Sequence, residues 1–84
     1  MNRLATIRRA VLEILSLASP YALPEAQLRT EVNGLVRPPA GQAEFDEAVL
    51  FLNTRRAIRT VPDDLAPETA KWAITEIGQV LSCR

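Results

Sequence analysis

Residues 44–58, EFDEAVLFLNTRRAI, decide how the rest of the chain is read. Phe45, Ala48, Val49 and Leu52 fall at i, i+3, i+4 and i+7, and on a helical period that spacing puts them on one stripe which must be buried. Asp46 and Glu47 lie in the first turn and Arg55 and Arg56 in the last, so the charges at both ends complement the helix dipole. The stretch predicts a core-facing helix ending near Arg56. Directly after it, Ala57-Ile58-Arg59-Thr60-Val61 changes to β-branched residues in alternation and breaks at Pro62-Asp63-Asp64. A helix that runs straight into a short strand, expected over Ile58 to Val61, and a turn is the centre of the expected architecture.

Working upstream, residues 35–41, LVRPPAG, carry two prolines and a glycine and form a loop before this helix. A second helix is expected from Pro24 or Glu25 to about Asn33. Proline is favourable at a first helical position, Glu25 suits the positive end of the dipole, and Ala26 or Leu28, Val32 and Leu35 supply the buried side. Asn33-Gly34 is a C-cap signal, since both residues tolerate the left-handed conformation. Tyr21-Ala22-Leu23 is read as a short connection. Before it, Leu4, Ile7, Val11, Ile14 and Leu15, flanked by Leu12 and Ala18, predict a first helix over about residues 3–18, stopped by Ser19-Pro20.

Downstream, residues 62–69, PDDLAPET, form a polar connection of hairpin-loop length. Ala70, Trp72 and Ile74 then alternate with Lys71 and Ala73 in a second strand over residues 70–74. Thr75 is a candidate N-cap for a short last helix carrying Ile77, Val80 and Leu81, although Gly78 in its middle weakens it by about 1 kcal/mol. The expected fold class is α+β: three helices, a two-stranded hairpin and a short C-terminal helix.

An 84-residue chain is expected to be a single domain that buries roughly 60–65% of the surface its unfolded state exposes. Hydrophobic residues at 48% and charged residues at 24% are globular values and argue against intrinsic disorder. No apolar run is long enough to span a membrane, and Arg3, Arg8 and Arg9 sit inside an amphipathic pattern rather than ahead of an apolar leader, so a cytoplasmic protein is expected. With no histidine and with Cys83 alone, the chain offers no internal disulfide, no Cys/His metal cluster and no His-based general base. No glycine-rich phosphate loop is present either, so neither an enzyme nor a cofactor is expected. Cys83 is read as a packing or terminal residue.

Ten basic and ten acidic residues cancel, so overall charge gives no pull toward nucleic acid. Nine of the ten basic residues are arginine, the better residue for planar phosphate and base contacts.

Four segments resemble parts of one known family. RRAVLEIL, residues 8–15, resembles the opening helix of small bacterial and phage transcriptional regulators with a winged helix-turn-helix domain. LRTEV, residues 28–32, is similar to their second helix. AVLFLNTRRAI, residues 48–58, resembles their recognition helix and its passage into the wing. WAITEIG, residues 72–78, is similar to the aromatic-x-[Leu/Ile]-Thr-x-x-Gly return that closes the wing. The resemblance covers nearly the whole chain and implies architecture more than activity.

It also implies double-stranded DNA as the partner, with the third helix in the major groove, the wing on the backbone and a homodimer reading two half-sites. Carried over residue by residue, Gln42, Glu44, Glu47 and Thr54 would face the groove, with Arg55, Arg56, Arg59 and Lys71 as the basic contacts. The chain departs from that pattern in its acidic residues: Glu44, Asp46 and Glu47 on the helix, and Asp63, Asp64 and Glu68 at the wing. Carboxylates near a polyanionic backbone are repelled, although one Glu or Asp can accept from cytosine N4.

Each feature also has an ordinary structural reading. The Arg55, Arg56 and Arg59 cluster caps a helix and solvates the wing, Arg3, Arg8 and Arg9 form the polar face of the first helix, and Trp72 packs in the hairpin. The alternative function is a protein-interaction or oligomerisation module without DNA affinity. Its candidate contacts are Leu50 and Phe51 on the third helix and Ile77, Val80 and Leu81 on the last, with Tyr21, Leu23 and Leu65 raising the same question on the loops.

Overall fold

The computed structural model describes residues 2–62, 65 and 71–82. Asp63, Asp64 and Glu68 of the expected acidic wing, the expected strand start at Ala70, and Cys83 lie outside the described residues. The elements run α1 (Arg3–Ala18), β1 (Leu23–Pro24), α2 (Glu25–Leu35), α3 (Gln42–Thr54), β2 (Ile58–Val61), β3 (Lys71–Ile74) and α4 (Glu76–Ser82).

Asn2 starts α1 by accepting from the amides of Leu4 at 3.0 Å and Ala5 at 3.3 Å, which meets two donors the first turn leaves open. Its Ile7, Val11 and Leu15 are wholly buried and meet Leu28 and Val32 of α2, Phe45 and Ala48 of α3, and Ile58 in one core. All four residues of the stripe in α3, Phe45, Ala48, Val49 and Leu52, are buried as expected. In α2 the buried side is Leu28 and Val32. Leu35 is exposed, Ala26 is exposed, and Val36 just beyond the helix takes the core position instead.

Two expectations about turns are corrected. Asn33-Gly34 does not cap α2: the helix continues to Leu35, no glycine has a positive φ, and Asn33 Oδ1 accepts from the Ala40 amide at 3.1 Å to fold the following loop back. Nor do Arg55 and Arg56 lie in the last turn of α3: the helix ends at Thr54, Arg55 is its C-cap, and Arg56 beyond it is the left-handed residue, at φ 62°. There the Ala57 amide donates to Leu52 O at 2.9 Å and the Arg56 amide to Asn53 O at 3.0 Å. That pair of bonds is a Schellman motif, and the buried Ala57 and Leu52 supply its apolar contact.

The sheet has three strands, not two. Leu23, read as connection, and Pro24, read as a candidate first helical residue, form β1, and the order is β1-β3-β2, all antiparallel. Leu23 pairs with Trp72 and Pro24 with Lys71, while Thr60 pairs with Trp72 from the other side. The edge position of β1 tolerates proline, which cannot donate to a ladder. As the middle strand, β3 also touches α1 and α4, and this buries Ala73 as well as Trp72 where simple alternation would have exposed it.

Thr75 caps α4 as expected, its Oγ1 accepting from the Gly78 amide at 3.2 Å. The same hydroxyl donates to Arg56 O at 2.5 Å, and the Thr75 amide donates to Ala57 O at 3.0 Å. The end of α3 and the start of α4 are thus joined through the backbone. Gly78 is required there, because a Cβ on it would lie 2.1 Å from Ala57 O.

Candidate nucleic-acid interface

Since Phe45, Ala48, Val49 and Leu52 face the core, the opposite side of α3 is the surface available to a partner. Ala43, Asp46, Leu50, Asn53 and Thr54 are exposed there, Leu50 at 66%. Of the residues expected to face a groove, Thr54 lies on this surface. Gln42 is also exposed, but its amide is engaged on both sides. It accepts from Arg29 of α2 through Oε1 and donates to Asp46 Oδ1 at 2.7 Å through Nε2.

Glu44 and Glu47 are directed to α1. Arg3 holds Glu44 bidentately, with Nε at 2.7 Å from Oε2 and Nη2 at 3.2 Å from Oε1. The same Nη2 donates to Pro38 O at 2.8 Å and Pro39 O at 3.3 Å, fixing the loop before α3. Glu44 Oε1 also accepts from the Gly41 amide at 3.1 Å, reaching back over the start of its own helix as the N3 residue of a capping box does. The Arg3 hydrogen bond, and after it the Gly41 amide, hold the Glu44 carboxyl below the usual carboxylate range.

Arg8 pairs with Glu47 through Nη2 and Oε1, and its guanidinium carbon lies 3.7 Å from the centre of the Phe51 ring. Phe51 is accordingly half-buried: it packs on the core and carries a cation on its ring, while the neighbouring Leu50 points to solvent. Arg3 and Arg8, read from the sequence as a polar face, are therefore contacts between helices.

At the other end of α3, Arg55, Arg56 and Arg59 are exposed and make no ion pair among the described residues. Arg55 lies 4.6 Å from the Phe51 ring centre. The Schellman turn projects Arg56 at the junction, and Arg59 follows in β2. Lys71, half-buried in β3, pairs with Val61 of β2 and Pro24 of β1. Trp72 is buried, its Nε1 donating to Glu25 Oε1 at 3.4 Å.

The apolar candidates divide between two places. Leu50 stands alone on the outer face of α3, while Ile77, Val80 and Leu81 are 49%, 57% and 36% exposed along α4. Tyr21 and Leu65 are exposed, and Leu23 packs against the core. Ala43, Asp46 and Asn53 were not among the candidates read from the sequence. Their signal was present in the helical spacing, as the positions opposite the buried stripe. No helix among the described residues is long and apolar enough to cross a membrane.

Comparison with family models and with curated proteins finds no match. Among solved structures, the chain is similar to the adhesin competence repressor AdcR of Streptococcus pyogenes, with a TM-score of 0.66 and 19% sequence identity. The superposition covers 88% of this chain and 50% of that one, so the chain spans half the length of the repressor. At such identity the likeness carries the fold alone, and the fold is the winged helix-turn-helix expected from the sequence.

Proposed function

We propose that this winged helix binds double-stranded DNA as a transcriptional regulator, presenting the outer face of α3 to the major groove and Arg55, Arg56 and Arg59 to phosphates. One observation carries the reading: two of the three carboxylates on the first half of α3 are paired with arginines of α1, and the arginines at its far end are not paired among the described residues. An acidic helix start would repel the backbone, and Arg3 and Arg8 relieve that repulsion from within the fold. Base contacts then fall to Asn53, Thr54, Ala43 and Leu50 rather than to Glu44 and Glu47. Asn suits adenine, and the methyl-bearing side chains suit thymine. Two copies related by a two-fold axis would read two half-sites, with α4 and its Ile77, Val80 and Leu81 as the candidate contact between them. Such a regulator would act in the cytoplasm, where it meets its operator.

The test is fluorescence anisotropy of a mixed-sequence duplex at ~50 and ~200 mM salt, where phosphate contacts show as a steep salt dependence. The Arg55→Ala/Arg56→Ala double variant is expected to bind about tenfold more weakly at low salt and to lower the salt slope by about 2. Absence of binding at low salt sinks this reading.

A second reading then takes its place, because Leu50 puts a large apolar side chain at the middle of the face that should meet DNA. In that case the domain binds protein through α3, and Leu50→Asp abolishes the complex. Light scattering decides the dimer separately: a monomer at high micromolar concentration removes the α4 contact.

A further inference from the structure

Of the three carboxylates on the first half of α3, Asp46 alone has no arginine: Glu44 is taken by Arg3 and Glu47 by Arg8. Asp46 is exposed on the outer face, and its one hydrogen bond among the described residues runs from Gln42 Nε2 to Oδ1, at 2.7 Å. Gln42 Oε1 in turn accepts from Arg29 Nη1 on α2. An arginine can only donate and a carboxylate only accept, so these two contacts fix which way the Gln42 amide points. Asp46 is thereby oriented from two helices, and its Oδ2 keeps its full capacity to accept.

Four residues on, Leu50 is 66% exposed. Residues at i and i+4 are neighbours on a helix, with Cβ atoms about 5–6 Å apart. An oriented acceptor and an apolar side chain therefore stand side by side at the middle of the face that the proposed function turns to the major groove. Of the four bases, only cytosine shows a donor in that groove with no acceptor on its own edge: adenine adds N7, thymine shows O4, and guanine shows N7 and O6. A carboxylate brought against an acceptor is repelled, so Asp46 rejects three bases as well as taking one. Leu50 beside it suits a methyl group on pyrimidine C5.

We propose that Asp46 and Leu50 together read a cytosine whose N4 amino group stands beside a pyrimidine C5-methyl in the major groove. Asp46 Oδ2 accepts from N4, and Leu50 covers the methyl. The methyl belongs either to a thymine at the neighbouring step or to the cytosine itself as 5-methylcytosine, since both offer the same chemistry. The inference rests on the DNA-binding reading and adds to it a base preference, which phosphate contacts at Arg55, Arg56 and Arg59 do not supply.

The test is selection of the full chain on a pool of randomised duplexes, followed by anisotropy on the enriched sequence. One position of the enriched motif is expected to hold cytosine, with every other base there bound about tenfold more weakly. Asp46→Asn supplies an acceptor and a donor, the pair that fits adenine N6 and N7, and is expected to move that one position from cytosine to adenine. The rest of the motif and the salt slope are expected to stay as they are. Leu50→Ala is expected to keep the cytosine and to lose several-fold in affinity. Two base changes locate the methyl: weaker binding when deoxyuridine replaces a neighbouring thymine assigns it to thymine, and tighter binding when 5-methylcytosine replaces the cytosine assigns it to the cytosine.

A motif without cytosine, or a cytosine that Asp46→Asn leaves in place, would overturn the role of Asp46. Indifference to both base changes and to Leu50→Ala would overturn that of Leu50. Steeply salt-dependent binding with no enriched sequence keeps the DNA-binding reading and removes this one. No binding to any duplex removes both.

Discussion

At the N-terminal end of α3, Glu44, Asp46 and Glu47 each take a hydrogen bond from another side chain, from Arg3, Gln42 and Arg8. At the C-terminal end, Arg55, Arg56 and Arg59 meet no carboxylate among the described residues. The same helix therefore uses charge in two ways. One end joins α3 to α1 and to the loop before it, and the other leaves cations toward solvent and the wing. A formal net charge of zero hides this, because electrostatic complementarity with a polyanion depends on which charges are already paired.

The contrast requires that the cationic end be a fixed platform, and breaking that platform has the largest expected effect. Ala57 O accepts from the Thr75 amide, and a Cβ on Gly78 would come 2.1 Å from it. A backbone carbonyl held in this way cannot step aside. Gly78→Ala is expected to destabilise the fold by roughly 3 kcal/mol, well beyond the ~1 kcal/mol that alanine returns in helix propensity. Urea unfolding measures it. A loss under about 1 kcal/mol would mean that the junction yields and does not fix the arginines.

The next comparison sets one arginine from each end against the other, since both lie on the Phe51 ring. Arg8 has a side chain 20% exposed and is tied to Glu47, 38% exposed. Arg8→Gln is expected to cost roughly 1–2 kcal/mol, through the lost cation on the ring and the carboxylate left without its partner, discounted for the exposure of Glu47. Arg55→Gln, at an exposed position, is expected to change stability by less than about 0.5 kcal/mol. Equal losses would erase the difference between the two ends.

What the sequence made legible follows from the range of each interaction. The stripe Phe45, Ala48, Val49 and Leu52, the bounds of α1, the strand over residues 58–61 and the Thr75 cap rest on local spacing, and they stand as read. β1 was missed because two residues ending in proline carry no strand signal, and only the pairing of Leu23 with Trp72 makes them one. Gly78 looked like a flaw in a helix because its reason, the Ala57 carbonyl, comes from a distant stretch of chain. The partners of Glu44 and Glu47 were equally out of reach: Arg3 and Arg8 lie 41 and 39 residues away. Fold is largely a matter of local pattern here, and the site is a matter of which distant charges meet.

The Schellman turn sharpens the contrast at a smaller energy. The chain places Arg56 at φ 62°, where glycine carries no Cβ penalty and where the sequence offered neither Gly nor Asn as a cue. Arg56→Gly is expected to stabilise the fold by up to about 1 kcal/mol. It is also expected to weaken duplex binding, because the cation goes. The two effects point in opposite directions and are read by unfolding and by anisotropy on the same protein. A variant that is more stable and binds as well as the parent would show that Arg56 serves neither the fold nor the ligand.

The smallest effect tests whether the N-terminal charges hold the fold at all. Arg3 and the Gly41 amide keep the Glu44 carboxyl below its ordinary range in the folded state. The folded protein thus binds a proton at this site less readily than the unfolded chain. The contribution is fully present above the unfolded value of about 4.3 and is lost as pH falls through the depressed folded value. Glu44→Gln keeps the shape and removes the titration. Its stability is expected to fall below the parent's at neutral pH and to converge with it on acidification, a gap followed by urea unfolding at steps from neutral to acidic pH. A gap that stays constant across that window would mean that Arg3 meets Glu44 without favouring its charge. The N-terminal end of α3 would then be as uncommitted as the C-terminal end.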